Sequence, residues 1–261
     1  MLYGWFTLIL ENVKLAITNN MITKNQIKLI RSLGLKKNRI KHNLFIAEGE
    51  KIVDELLDSN LTLFHLFSTD DTYDLKENYT IIKNQELKQI SNLKTPNKVV
   101  GLFKIPKPVN IDFSKNIIAL EQINDPGNLG TIIRLCDWFG IRDIICSENS
   151  VDCFNPKTIQ ASMGSISRVN VTYQSFDDLI SNKKCNLIAA DIKGEKINDY
   201  NFNKNQIIFF GSESNGFSDN LSQKITEKIT IPRYNKNIDS LNVANSVAIV
   251  LSELKHKTTG K

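Results

Sequence analysis

Apolar residues recur with different spacings in the first and second parts of the chain. In the first part, a short apolar stretch, Leu44–Ala47, predicts a strand, and the stretches LTLFHLFST, YTIIKN and KVVGLFKI predict three more. The stretch NQELKQISNL predicts a helix capped by Asn84. Another helix is marked by apolar residues at helical spacing, namely Ile52, Val53, Leu56 and Leu57. This mixture predicts a small α/β domain over residues 21–105.

A polar stretch, PKPVNIDFSK, separates this part from the rest of the chain. Its two prolines interrupt regular structure and it has no apolar periodicity, so we interpret residues 106–115 as a linker. Behind it, short β-branched runs alternate with helical stretches: NIIALEQI, RDIICS, SRVNVTY, NLIAADI, QIIFFG and EKITIP. Strands that are almost continuously apolar and joined by helices are typical of a parallel sheet covered on both faces. The sequence therefore predicts a parallel-sheet α/β domain over residues 116–261.

The first residues, MLYGWFTLIL, are apolar over only ten positions. This length is too short to span a bilayer, and the stretch lacks the basic region and cleavage site of a signal peptide. Because Met21 opens a more ordinary stretch, we interpret residues 1–20 as an N-terminal extension with little role in the fold. We expect no membrane partner.

Cysteine and histidine usage favours a cytoplasmic protein without a metal site. No two cysteines form a CxxC pair, and all lie in or beside apolar runs, as reduced buried thiols do. The three histidines are far apart in sequence, which argues against a metal-ligand cluster. The net charge of +5 permits an anionic partner without requiring one.

The stretch NDPGNLGTIIRLCDWFG, residues 124–140, follows a predicted strand and opens a helix. Asn128 is a candidate cap for that helix. At about 100° per residue, Arg134 points away from the apolar stripe and shares a face with Trp138. This pattern indicates a cleft or a subunit contact, although a solvated arginine would produce the same spacing.

Two later stretches also lie where a strand passes into a loop. IIFFGSESNGFS, residues 207–218, places one acid, Glu213, behind a buried strand, where it serves either a site or the loop's own amides. In ITIPRYNKNIDSLNVANSVAIVL, residues 229–251, Ser240 is the expected N-cap of a helix that starts near Asn242. Because ligands bind at the carboxyl ends of parallel strands, the three stretches are expected at one edge of the sheet.

Taken together, these motifs resemble the SpoU (TrmH-type) branch of the SPOUT RNA methyltransferases. DPGNLGTIIR matches the family's first motif, GSESNGFS its second and IPRYNKNIDSLNV its third, and NPKTIQASMGS is similar to the helix that follows the second strand. The resemblance covers about residues 115–257. Residues 21–105 resemble the family's small substrate-binding domain, with LFIAEGEKIVDELL carrying the match.

The resemblance implies an enzyme that transfers a methyl group from S-adenosylmethionine to a ribose 2′-hydroxyl in RNA. It also implies a deep trefoil knot, a homodimer, and cofactor contacts, largely through the backbone, at Gly211, Ile231 and Leu241. By the same resemblance Arg134 is the catalytic arginine. It acts either as a base or only as a binder of phosphate and alkoxide, because arginine is normally always protonated. Residues that would orient it and hold the loops are Asn128, Glu213, Ser240 and Asn242.

Ribosomal RNA is favoured over tRNA because tRNA members usually lack the N-terminal domain. An RNA-binding protein that has kept the fold and lost catalysis is an alternative of another class. A Rossmann enzyme ranks last, since PGNLG has no GxGxxG pattern. The chain departs from the family at Asn235, where many members have glycine, and at Arg233 and Tyr234, where a methionine is common.

A basic stretch in the first domain is a candidate contact for RNA. Between Ile22 and Ala47 the chain has no acid and seven basic residues: Lys24, Lys28, Arg31, Lys36, Lys37, Arg39 and Lys41. Such a cluster suits a phosphate backbone, and an ordinary solvated helix face is the alternative.

Overall fold

The computed structural model describes residues 21–73, 75, 77–181, 185–212, 216–235 and 237–259. The described residues fall into two compact units. The N-terminal unit comprises the residues up to Pro106 together with Phe154–Gln160, and the C-terminal unit comprises Lys107–Cys153 and the residues from Ala161 onward.

The N-terminal unit has a four-stranded sheet with helices. Its elements are α1 (Lys24–Ser32), α2 (Lys36–His42), β1 (Leu44–Glu48), α3 (Glu50–Leu57), β2 (Leu63–Ser68), β3 (Tyr79–Ile81), α4 (Asn84–Ile90) and β4 (Val99–Lys104). The strand order is β1-β4-β2-β3. Strand β4 pairs antiparallel with β1 and β2, and β3 adds parallel to β2.

Local sequence explains where the helices of this unit begin. A capping box starts α1, because the Thr23 hydroxyl accepts from the Gln26 amide and the Gln26 side chain accepts from the Thr23 amide. The predicted cap Asn84 is instead the first residue of α4, and Lys83 is its N-cap residue. There the Glu86 carboxylate accepts a hydrogen bond from the Lys83 N–H at 2.8 Å. The prediction of Asn84 as the cap was therefore wrong by one residue.

The C-terminal unit contains a six-stranded sheet in which every pair is parallel. The elements that follow the linker are β5 (Ile117–Leu120), α5 (Pro126–Trp138), β6 (Asp143–Cys146), α6 (Pro156–Ser162), a 3₁₀ turn (Ser165–Ser167), β7 (Asn170–Tyr173), α7 (Phe176–Ser181), β8 (Asn186–Lys196), β9 (Gln206–Phe210), α8 (Asp219–Lys224), β10 (Lys228–Thr230) and α9 (Val243–Thr259). Of these, α6 belongs to the N-terminal unit up to residue 160, and the others belong to the C-terminal unit. The strand order is β10-β8-β9-β5-β6-β7. The predicted parallel sheet is confirmed.

The central strands β5 and β9 are buried at every position, as expected for a sheet covered on both faces. Strand β8 extends beyond its apolar run, because it pairs with β10 again after an interruption. Lys228 pairs with Ala189, whereas the next residue, Ile229, pairs with Glu195. The residues between these pairs bulge away from β10. Gly194 permits the bulge, since a Cβ at this position would lie 2.6 Å from the carbonyl of Lys228.

Candidate active site

Helix α5 begins at the turn that the first motif encodes. Asp125 is its N-cap, Pro126 occupies the first turn, and Asp125 Oδ1 accepts from the Asn128 backbone N–H at 2.8 Å. The prediction that Asn128 caps this helix was therefore wrong, because an aspartate three residues earlier takes that role. The Asn128 side chain is thereby available for a contact outside its own helix.

The exposed face of α5 carries Arg134. The apolar positions on this helix are fully buried, namely Leu129, Ile132, Ile133 and Cys136. Arg134 is exposed, and the Trp138 side chain is 84% exposed. Among the described residues Arg134 has no hydrogen-bond or ion-pair partner.

The third motif ends at helix α9, and Asn242 is its cap. Asn242 Oδ1 accepts hydrogen bonds from the backbone N–H groups of Ala244 at 2.9 Å and Asn245 at 3.3 Å. The helix itself begins at Val243. The prediction that Ser240 caps this helix was wrong, because an asparagine directly before the first turn reaches both amides.

The first and third motifs meet through their asparagines. Asn242 Nδ2 donates a hydrogen bond of 3.1 Å to Asn128 Oδ1. The Asn242 side chain thus caps α9 with its oxygen and binds α5 with its nitrogen. Helices α5 and α9 also pack against each other.

The described ends of the second motif pair with each other behind β9. The backbones of Ser212 and Gly216 exchange two hydrogen bonds, of 3.0 and 2.9 Å. A Cβ at Gly211 would lie 2.5 Å from the carbonyl of Gly216, so only glycine fits the strand end beneath this loop. The predicted site residue Glu213 lies outside the described residues.

A buried carboxylate that the sequence analysis did not single out holds the far side of this loop. Glu121, directly after β5, accepts from the Ser218 backbone N–H at 3.0 Å and from the Ser218 hydroxyl at 2.6 Å. Its own N–H donates to the Phe210 carbonyl, which joins the carboxyl ends of β5 and β9. In the sequence, this role could have been suspected from an acid that directly follows an apolar strand. Glu121 therefore positions the second motif.

An open cavity of about 860 Å³ lies at the carboxyl edge of the sheet. Its lining includes the three predicted cofactor contacts, Gly211, Ile231 and Leu241, as well as Ser240. The rest of the lining comes mainly from residues 190–193 of the β8 bulge, residues 232–235 and the first turns of α9. Asn128, Arg134 and Asn242 are not among the described residues that line it. The structure thus brings Gly211, Ile231, Ser240 and Leu241 to one cavity and joins Asn128 to Asn242, but it does not bring Arg134 to the cavity within one chain.

Asp191 on the β8 bulge gives this cavity a carboxylate. Burial alone would raise its pKa, but the hydrogen bond from Lys228 and the Lys193 backbone N–H hold the pKa of Asp191 below its usual range. The Lys228 Nζ lies 2.9 Å from Asp191 Oδ2. The cavity wall therefore presents a neutralised ion pair beside largely apolar and backbone surface.

The basic stretch of the N-terminal unit divides into a surface and one internal residue. Arg39 is buried, and its Nη1 donates to the carbonyls of Leu33 at 2.7 Å and Gly34 at 3.0 Å. It therefore closes the turn between α1 and α2, and its assignment to a phosphate contact was wrong. The other six are exposed and form what we call the basic surface: Lys24, Lys28, Arg31, Lys36, Lys37 and Lys41.

The described ranges contain neither a candidate metal site nor a membrane-spanning helix. There, no group of three or more histidine, cysteine or acidic side chains is close enough to hold a metal ion. No helix in those ranges has the length and apolar character to cross a membrane. Cys136, Cys146 and Cys153 are buried and form no disulfide bond within the described residues, and burial raises the pKa of Cys136 and Cys146.

Comparison with known proteins links both units to RNA methylation. Residues 115–252 match the SpoU rRNA methylase family, and residues 24–101 match the MRM3-like substrate-binding domain. A Bacillus subtilis protein named 23S rRNA (guanosine(2553)-2′-O)-methyltransferase is 26% identical over 242 residues, covering 89% of this chain and 97% of its own length.

Two solved structures extend this likeness over both units. A TrmH-family protein from Porphyromonas gingivalis is 31% identical with a TM-score of 0.81, covering 91% of this chain and 100% of its own. An S-adenosylmethionine-bound rRNA methyltransferase from Sinorhizobium meliloti is 25% identical with a TM-score of 0.80, covering 92% of this chain and 99% of its own. Since the family match spans more than half of the sequence and the fold agrees with it, the chain belongs to the SpoU rRNA methylase family.

Proposed function

We propose that this protein is an enzyme that transfers a methyl group from S-adenosylmethionine to a ribose 2′-hydroxyl of ribosomal RNA. The observation that carries the proposal is the cavity at the carboxyl edge of the parallel sheet, which gathers Gly211, Ile231 and Leu241 from two separate motifs. The Bacillus subtilis relative is named for this reaction on 23S rRNA, and the Sinorhizobium meliloti structure contains this cofactor.

The residues of the cavity suit S-adenosylmethionine. A volume of about 860 Å³ is in the range of cofactor pockets. Gly211 and Gly216 line the cavity without side chains, and backbone amides and carbonyls can read the edge of a neutral adenine. We infer that Gly211, Ile231 and Leu241 hold the adenosine part.

When bound, S-adenosylmethionine supplies an electrophilic methyl group whose leaving group needs no proton. The protein must then hold the 2′-oxygen in line and stabilise its developing negative charge. Arg134 is exposed and has no partner among the described residues, so its guanidinium can bind the phosphate beside the target ribose. A permanent positive charge suits this role better than that of a base, because arginine does not readily lose its proton.

The remaining motif residues are proposed to hold this arrangement. The Asn242–Asn128 hydrogen bond fixes the start of α9 against the helix that carries Arg134. Ser240 lines the cavity beside Leu241, and we infer that it contacts RNA or cofactor. Glu213 is proposed to act from the second motif, whose ends are held by the Ser212–Gly216 and Glu121–Ser218 hydrogen bonds.

We further infer a homodimer in which a second copy brings Arg134 to the cavity. This is supported by the absence of Arg134 from the cavity lining of the described chain. It is also supported by exposed apolar side chains on the two packed helices, Trp138 on α5 and Ile249 on α9. A deep trefoil knot around the cavity loops is proposed from the likeness to SpoU folds.

The N-terminal unit favours ribosomal RNA over tRNA as the substrate. The 23S rRNA relative aligns over 97% of its own length, so the likeness includes both units. The basic surface offers lysines and an arginine for a phosphate backbone, and binding through it is expected to weaken as salt rises.

Calorimetry and methyl transfer together test the proposal. The purified protein should bind S-adenosylmethionine and should transfer labelled methyl to ribosomal RNA from cells that lack the protein, with tRNA from the same cells as the parallel substrate. Folded protein that binds RNA without binding the cofactor would refute the proposal in favour of an RNA-binding protein. Transfer to tRNA alone would refute the ribosomal assignment.

A further inference from the structure

Among the described residues of the third motif, the most exposed large apolar side chain lies at the cavity. Tyr234 is 95% exposed and lines the cavity that also contains Ile231. Two other exposed apolar side chains, Ile192 and Ile238, line the same cavity. Apolar side chains that gather at a cavity while remaining open to water mark a surface that binds something.

The turn that carries Tyr234 is held by its own hydrogen bonds. Arg233 Nη1 donates to the Ile238 carbonyl at 3.2 Å, and the Asn237 N–H donates to Asn235 Oδ1 at 3.0 Å. Tyr234 therefore lies in a turn with its own hydrogen bonds, and its side chain remains open to solvent at the cavity.

The charges around Tyr234 favour an anionic partner. Arg233 is exposed and directly precedes it, and Lys193 is another exposed cation of the cavity lining. Among the described lining residues there are two acids, and Asp191 is paired with Lys228, so Asp239 is the opposing charge within that described part. An aromatic face beside a guanidinium suits an unpaired nucleobase together with its phosphate.

We propose that Tyr234 is a stacking platform for an unpaired RNA base next to the methylated ribose, and that Arg233 binds the phosphate of that nucleotide. This inference rests on the proposed function, since it assigns to the RNA a subsite at the same cavity. Tyr234 would then determine which RNA segments fit, whereas Gly211, Ile231 and Leu241 serve the cofactor.

Three substitutions test the platform. Tyr234→Phe keeps the aromatic face, Tyr234→Leu keeps apolar area without a ring, and Arg233→Gln removes the charge. Binding is measured by fluorescence anisotropy with a labelled single-stranded RNA 12-mer of mixed sequence, at saturating S-adenosylhomocysteine. We expect Tyr234→Leu to weaken binding roughly tenfold and Tyr234→Phe to match the wild type. Arg233→Gln should reduce the salt dependence by about one phosphate contact.

Parallel measurements separate this inference from its rivals. The Kd for S-adenosylmethionine, from calorimetry, and the oligomeric state, from light scattering, should be unchanged in Tyr234→Leu. Loss of cofactor affinity would show that Tyr234 covers the cofactor, and dissociation into monomers would show a subunit contact, so either result overturns the platform. It is also overturned if the wild type and Tyr234→Leu bind the 12-mer equally, or if neither binds it. A wild type that methylates no RNA would refute the proposed function instead.

Discussion

Asn242 donates a 3.1 Å hydrogen bond to Asn128, which lies 114 positions earlier in the chain. The same side chain caps α9 through its oxygen. Because the amide nitrogen and the amide oxygen serve different helices, substitutions can remove one contact and keep the other.

Asn242→Asp is expected to preserve stability and to reduce methyl transfer. The carboxylate still accepts from the amides of α9, but it cannot donate to Asn128. Asn242→Ala removes both contacts and should also lower the free energy of unfolding by about 1 kcal/mol, the usual value of an N-cap. Denaturant unfolding and the initial rate of transfer measure the two effects. If Asn242→Asp retains the wild-type rate, the hydrogen bond to Asn128 is not needed for activity.

Gly211→Ala is expected to weaken cofactor binding roughly tenfold or more. The new Cβ would lie 2.5 Å from the backbone of Gly216, so the loop of the second motif must shift. Gly34→Ala is the matched control, because its Cβ would lie 3.4 Å from the nearest atom, in the N-terminal unit. Calorimetry with S-adenosylmethionine gives the affinities. Equal affinity in Gly211→Ala and wild type would remove Gly211 from the cofactor site.

Arg39→Met is expected to lower the free energy of unfolding by about 2 kcal/mol, because the carbonyls of Leu33 and Gly34 lose a charged donor. The matched variant Lys37→Met, on the basic surface, should change stability by less than about 0.5 kcal/mol and should weaken RNA binding. Thermal unfolding and filter binding to ribosomal RNA distinguish the two. A stable Arg39→Met variant with weakened RNA binding would restore Arg39 to the RNA contact.

Acid is expected to destabilise the N-terminal unit through His65. This side chain is buried with its Nε2 2.9 Å from Thr80 Oγ1, and burial lowers its pKa from 6.5 to about 4. Between these two values the unfolded chain binds a proton that the folded chain does not. Its contribution to stability is therefore complete above pH 6.5 and is lost as the pH falls to about 4, at about 1.4 kcal/mol per pH unit.

Urea unfolding between pH 7 and 4 measures this slope. His65→Gln should show a shallower loss than the wild type, whereas His256→Gln, at an exposed position, should follow the wild type. Identical slopes in the wild type and His65→Gln would contradict the assignment.

The sequence was sufficient to predict the alternation of strands and helices, because buried strands of a parallel sheet are almost continuously apolar. It was also sufficient to predict that Arg134 is exposed, since the apolar stripe shows which face of α5 is buried. Caps were less predictable. Several residues near a helix start can accept a hydrogen bond, and Asp125 and Asn242 took the roles expected of Asn128 and Ser240.

Residues that act through distant partners could not be found from local pattern. Glu121 appears in the sequence as a single acid after an apolar run, and only the fold brings it to Ser218, 97 positions later. Arg39 appears as one of seven basic residues, and only the turn between α1 and α2 shows that it is internal. The bulge in β8 depends likewise on its pairing with β10.

The central claim is that Arg134 enables methyl transfer to RNA, and its most direct test compares two arginine substitutions. Arg142→Ala, at another exposed position of the C-terminal unit, is the matched control for Arg134→Ala. Labelled methyl transfer to ribosomal RNA from cells lacking the protein is measured, with the product mapped as a ribose 2′-O-methyl group. We predict that Arg134→Ala abolishes transfer while it retains the wild-type fold and cofactor affinity, and that Arg142→Ala retains activity. Wild-type turnover by Arg134→Ala would contradict the account.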